Sequence, residues 1–250
     1  MKKVIDYTLL IQTVPEISKR DNSVYTCTVG YSSELGFIRI YPMPFNRGLQ
    51  RWNTYKVEVE KNKQDSRAES WKLSAISKED NFTNFNSNVV QIKTLKQAEK
   101  AFIFNEMFKR KSPSLGDLND HRRSIGFIYA NKVRASWEAN ENYVNRNQLL
   151  LFQDVEIEMH SIFTKQENLF VSKIRFQDED GMHNLQLNNW QYYMAQKNFR
   201  QKGHSIHDAF RYVNDGSQIL VVGNLFQHRN IWMVLESFRY THKTSLFDTI

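Results

Sequence analysis

Residues 54–61, TYKVEVEK, alternate strictly: Tyr55, Val57 and Val59 fall on one side of an extended chain, Lys56, Glu58 and Glu60 on the other. Successive side chains of a strand point to opposite faces, so this is a strand with one face on a core and one in water. Similar stretches surround it. Residues 3–12 are mostly apolar, SVYTCTVG (23–30) is rich in β-branched and aromatic residues, and YSSELG (31–36) has turn chemistry. GFIRIYP (36–42) follows, with Pro42 expected to end the strand because it donates no ladder hydrogen bond. SWKLSAIS (70–77) and SNVVQIKT (87–94) are further strands. Five or six short strands at this spacing predict a small barrel or a curled sheet.

Beyond residue 93 the pattern changes. Thr94 with Gln97 reads as a capping box ahead of LKQAEKAFIFNEMFKRK (95–111). Leu95, Ala98, Ala101, Phe102, Phe104 and Phe108 are its expected apolar face, and Pro113 stops it. SPSLGDLNDHRRS (112–124) is a short helix or an ordered loop. SIGFIYANKV (124–133) and QLLLFQDVEIEM (148–159) return to strands. LFVSKIRF and MHNLQLN flank Asp180-Gly181 as a hairpin. Residues 190–200 read as a helix and HSIHDAFRYV (204–213) as a shorter one capped by Ser205; SQILVVG and NIWMVLESFRY close the chain as apolar strands. The fold class is therefore α+β, mostly antiparallel β, with small barrel-like or curled sheets and a helical insert near residues 94–123. The expected division is a basic β-rich module (1–93), a helical connector (94–123) and a second β-rich module with two short helices (124–250); one continuous domain also fits the length.

Composition narrows the function classes. The chain has 250 residues, a net charge of +7 and a single cysteine, Cys27, so no internal disulfide can form. One cysteine and no apolar run approaching ~18 residues point to a cytoplasmic protein without a membrane partner. The charge is unevenly placed. Residues 1–125 hold 21 Lys+Arg against 14 Asp+Glu, and residues 126–250 hold 13 against 13. A segregated basic excess is the electrostatic footprint of a polyanion, or merely a solubilising surface.

The basic half also carries aromatic rings. On GFIRIYP, Phe37, Arg39 and Tyr41 share one face, an aromatic–arginine–aromatic stripe suited to stacking bases and holding phosphates. Arg47, Arg51, Trp52 and Arg67 lie nearby in sequence. These seven residues form the expected nucleic-acid site, with stacking by Phe37, Tyr41 and Trp52 and phosphate contacts by the four arginines, on single strands or phosphate backbone of DNA or RNA. The plain alternative is that the rings fill a core. A second reading is a metal-dependent enzyme acting on nucleic acid or a nucleotide, with Asp65 and Glu69 as the acidic pair. The same residues make an ordinary loop network if Arg67 neutralises them. A third is a protein-interaction subunit, with a homodimer or a protein partner docked through the neutral second half.

Other groups carry less. His204 with His207 has helical spacing for a metal, but the Ser205 cap would put His204 outside the helix. Cys27 reads as a small buried thiol. Asp178, Glu179 and Asp180 are explained by the hairpin turn. His121 reads as a solvated helix end, and His228 with Arg229 occupies a loop from which a ligand is in reach. With nine glycines and no phosphate-binding loop, nucleophile elbow or zinc-finger spacing, no cofactor and no metal is expected.

Overall fold

A computed structural model of the chain describes residues 2–18, 24–45, 49–63, 65–74, 89–141, 170–201, 218–225 and 228–239. Five strands of the first part close a ring: β1 (Lys2–Gln12), β3 (Val24–Ser32), β4 (Gly36–Pro44), β6 (Ser70–Leu73) and β5 (Asn53–Lys61). Strand β1 is shared between two neighbours. Its residues Lys2–Thr8 pair with β5 and Thr8–Gln12 pair with β3, with a register slip between Leu9 and Ile11. Close to that slip Gly30 lies against β1, where a Cβ would collide with the Thr8 carbonyl oxygen and the Tyr7 ring; only glycine allows so close an approach. The ring closes through β4 and β6, which run parallel at Arg39–Ser70 and Ile40–Trp71. Strand β2 (Glu16–Ile17) adds to β3, and β7 (Val89–Thr94) adds to β5.

The alternation of residues 54–61 is realised directly. Tyr55, Val57 and Val59 join Ile5, Tyr7, Leu9, Ile38, Ile40, Met43, Trp71 and Leu73 inside the barrel, while Lys56 is exposed. Strand β4, however, does not end at Pro42. Thr26 pairs with Met43 and Thr28 with Ile40, so Tyr41 and Pro42 together oppose Cys27. A bulge accommodates a proline that cannot donate and also re-aims the side chain beside it.

The second part repeats this plan. Its strands are β9 (Ile125–Ala139), β10 (Phe170–Asp178), β11 (Gly181–Gln186), β12 (Gln218–Asn224) and β13 (Trp232–Arg239). Strand β9 is again shared: Ile125–Ala130 pair with β12 and Asn131–Ala139 with β10. At the far ends Leu187, just past β11, makes a parallel bridge to Val234 of β13. With the five strands of each part numbered in chain order, both follow the circular order 1-2-3-5-4-1, and in both the contact between strands 3 and 5 is parallel. The β10–β11 hairpin turns at Glu179-Asp180, with Asp178 opposite Gly181 at φ 124°, one residue before the sequence-expected pair. Helix α3 (Trp190–Gln201) follows it.

Between the two parts lie α1 (Gln97–Lys109), β8 (Lys111–Ser112) and α2 (Leu115–Asp120). The α1 cap differs from expectation. Lys96 N–H donates to Glu99 Oε2 at 2.8 Å, while the Thr94 hydroxyl turns to Asn53 Oδ1 at 2.8 Å. The buried stripe is Ile103 and Met107 flanked by Phe104 and Phe108, whereas Phe102 is exposed. Three phenylalanines had set the expected phase, but the tightest packing goes to the aliphatic pair at i, i+4. These helical residues meet Leu10, Val29 and Phe37 of the barrel and Ile125, Phe127, Ile219, Val221, Leu235 and Phe238 of the second sheet in one core. The molecule is mostly β, and QLLLFQDVEIEM lies outside the described residues.

Candidate functional site

The β3–β4 face that points away from the barrel interior carries Tyr25, Cys27, Val29, Phe37, Arg39 and Tyr41, and it has two fates along its length. At one end Phe37 is 5% exposed. Its ring packs edge-on against Tyr31 at 5.1 Å and Phe127 at 4.6 Å, so it belongs to the core between the sheets and offers no platform to a base. At the other end the face opens. Tyr25, Cys27, Arg39 and Tyr41 line a cavity of about 330 Å³, roofed by Asn224 and Met233 of the second sheet and by Leu225 and His228 of the connection between its last two strands. Thr13, Val14 and Glu16 from the β1–β3 connection and Asn62 and Asp65 from the β5–β6 connection also contribute to its wall.

Arg39 is half-buried there. It donates to the Asn224 carbonyl oxygen at 2.7 Å, and no carboxylate among the described residues pairs with it. Tyr41, on the bulge, is 42% exposed. Burial, with the Glu16 carboxylate adding to it, pushes the Tyr41 hydroxyl above its ordinary value, so it is a neutral hydrogen-bonding group at pH 7. The cavity thus offers a guanidinium with free donors and phenolic rings.

Of the remaining residues of the expected site, Arg51, Trp52 and Arg67 are engaged elsewhere. Arg67 is 4% exposed and grips Asp65 with two parallel hydrogen bonds, Nε to Oδ1 at 2.8 Å and Nη2 to Oδ2 at 2.7 Å. Its Nη1 donates to Asn224 Oδ1, and Asn224 Nδ2 donates to the carbonyls of Arg123 (3.0 Å) and Arg229 (2.7 Å). Burial pushes the Asp65 carboxyl up, but hydrogen bonds from Arg67 and Ser70 and the Arg67 charge outweigh it and leave it below the usual range. Glu69 accepts from Ser124 N–H at 2.6 Å and lies 3.4 Å from Arg123 Nε. Arg67 is therefore a buried brace rather than a phosphate contact. Asp65 and Glu69 face separate partners rather than one shared ion, and no group of three or more metal-binding side chains occurs among the described residues.

Arg51 pairs with the buried Glu236 at 3.0 Å, donates to Gln191 at 3.1 Å and lies over the Phe238 ring at 4.5 Å. Burial raises the Glu236 carboxyl above its ordinary value despite that arginine. Trp52, at φ 69°, packs between Phe104 and Phe238. Both were expected at a ligand, and both instead fasten the β4–β5 connection to β13. Arg47, His204 and His207 lie outside the described residues. His228 is exposed at the cavity rim.

Sequence reasoning missed Tyr25, Asn62 and Asn224 as cavity residues. Tyr25 had a signal, since alternation groups it with Cys27 and Val29. Asn224 had none; its place depends on strand β12 reaching the barrel.

Against known families, a model described as a domain of unknown function (DUF8758) matches residues 5–101, less than half of the chain, which span most of the barrel and the start of α1. No curated protein matches. Among solved structures, the tetrameric p202 HIN2 aligns over 95% of this chain and 92% of that chain, with 9% identity and a TM-score of 0.29. At that score the likeness carries no argument about this protein. No helix among the described residues is long and apolar enough to cross a membrane.

Proposed function

We propose that the protein binds single-stranded nucleic acid, with one nucleotide entering the cavity between the barrel and the second sheet. The observation that carries this reading is the composition and placement of that cavity. Arg39 supplies a guanidinium unpaired by any described carboxylate, and Tyr25 and Tyr41 supply rings on the same wall. A closed five-stranded barrel of order 1-2-3-5-4-1 is the plan of the oligonucleotide/oligosaccharide-binding fold. Ligands there lie on the face of strands 2 and 3 between the loops joining strands 1–2 and 4–5. In this chain those are β3, β4 and the two connections that wall the cavity. Fold analogy alone assigns no activity. Its weight here comes from coincidence with an unpaired cation and aromatic rings. The shared strand order also supports reading residues 1–93 and 124–250 as two modules joined through residues 94–123.

The test is fluorescence anisotropy of labelled single-stranded DNA and RNA across a salt series. Binding through phosphates should weaken as salt rises, by a slope of about 0.7 in log K against log salt per phosphate contacted. Absence of binding at about 50 mM salt, where counterion competition is weak, contradicts the proposal.

A further inference from the structure

The outward face of β9, β10 and β11 carries a pair of opposed arginines. Arg134 on β9 and Arg175 on β10 are direct cross-strand partners, and Asn184 on β11 stands opposite Arg175. All three side chains are exposed, while Val133, Ile174 and Phe176 between them point into the core. The adjoining row is Ser136, Lys173 and Gln186, and the row beyond Arg175 pairs Gln177 with Asn131 and Met182. Among the described residues Glu138 is the acid on this face, and it is held by Lys173.

Like charges directly opposite each other across two strands are unfavourable. Neither arginine has a carboxylate partner among the described residues, and exposed Lys132 adds a third cation beside them. A bound anion removes this conflict. The neighbouring side chains are amides, a hydroxyl, Lys173 and Met182 rather than rings, so the surface suits phosphate oxygens and sugars more than bases. Guanidinium pairs hold phosphates by two-pronged hydrogen bonds.

We propose that this face of the second sheet is a phosphate-backbone contact surface for single-stranded nucleic acid, with Arg134 and Arg175 as its anchors. It rests on the nucleic-acid reading above and adds a second, sequence-independent site that the even charge balance of residues 126–250 conceals.

The experiment compares wild-type protein, R134A/R175A and R39A in the same anisotropy assay, using labelled 20- and 30-nucleotide single strands across a salt series. Removing the pair should lower affinity about tenfold at moderate salt and flatten the salt slope by about 1.4, the share of two phosphates. R134K/R175K should keep most of the slope, and the thermal midpoint of R134A/R175A should be unchanged or higher, because a repulsion is relieved. If R39A weakens binding while R134A/R175A leaves affinity and slope unchanged, this inference fails and the cavity reading stands. If the wild-type protein binds no single strand, both fail. If poly-glutamate of equal charge displaces the oligonucleotide equally well, the face is not specific for nucleic acid and the proposal is overturned.

Discussion

Replacing Arg67 with alanine is expected to cost ~3–5 kcal/mol of folding stability at neutral pH, the usual effect of stripping one partner from a buried ion pair. Arg67 and Asp65 are both buried, and the guanidinium also fixes Asn224, through which the β5–β6 connection reaches the second sheet. The alanine variant would leave the Asp65 carboxylate buried without its cation. Urea denaturation checks the size, and Lys93→Ala, which removes only an exposed pair with Glu99, serves as a control expected to lose less than about 1 kcal/mol. The pH dependence follows in sign. The folded Asp65 value is depressed, so its contribution is fully present above the unfolded carboxyl value and is lost as pH falls through the folded one. Wild type and R67A should therefore converge in stability as the solution is acidified below the ordinary aspartate range. A gap that stays constant into acid would show that the pair's ionisation is not what the mutation removes.

The second large effect is expected at the cavity. Arg39→Ala should weaken single-strand binding by about 10- to 100-fold, since hydrogen bonds to charged groups contribute about 1.5–3 kcal/mol. Tyr41→Ala should lose a comparable amount if the ring stacks on a base, at ~1–3 kcal/mol per base, while Tyr41→Phe keeps the stacking. Both side chains sit at a wall rather than in a core, so urea midpoints should stay near wild type. Equal binding by wild type, R39A and Y41A would remove the cavity from the account.

Much of the barrel was legible from periodicity. Strands β1, β3, β4 and β5 follow from apolar runs, alternation and turn residues, because a half-buried strand writes its two faces directly into sequence; the two-residue β2 lies in a stretch that reads as a loop. Period-two reading also placed Phe37, Arg39 and Tyr41 on one side of β4, and all three do point away from the barrel interior. What periodicity cannot carry is which part of that side another sheet covers. Phe127 closes over Phe37, and Asn224 reaches Arg39, through contacts far apart in the chain. The same gap explains Arg51 and Arg67. In sequence both are cations in a basic run, whereas in three dimensions Glu236 and Asp65 hold them. Charge counted by halves hid the Arg134–Arg175 pair for a related reason: a sum along the chain does not see which residues share a face. The α1 phase slipped because exposed Phe102 carries as much apolar weight in a pattern as buried Ile103.

The most direct measurement uses Cys27, the single cysteine, whose half-buried side chain lines the cavity. Its rate of alkylation by iodoacetamide can be followed by mass spectrometry with and without saturating single-stranded oligonucleotide. Occupation of the cavity predicts several-fold slower labelling, reversed by high salt and absent in R39A at the same oligonucleotide concentration. Binding that saturates by anisotropy while Cys27 reacts at an unchanged rate would place the nucleic acid elsewhere and contradict the account.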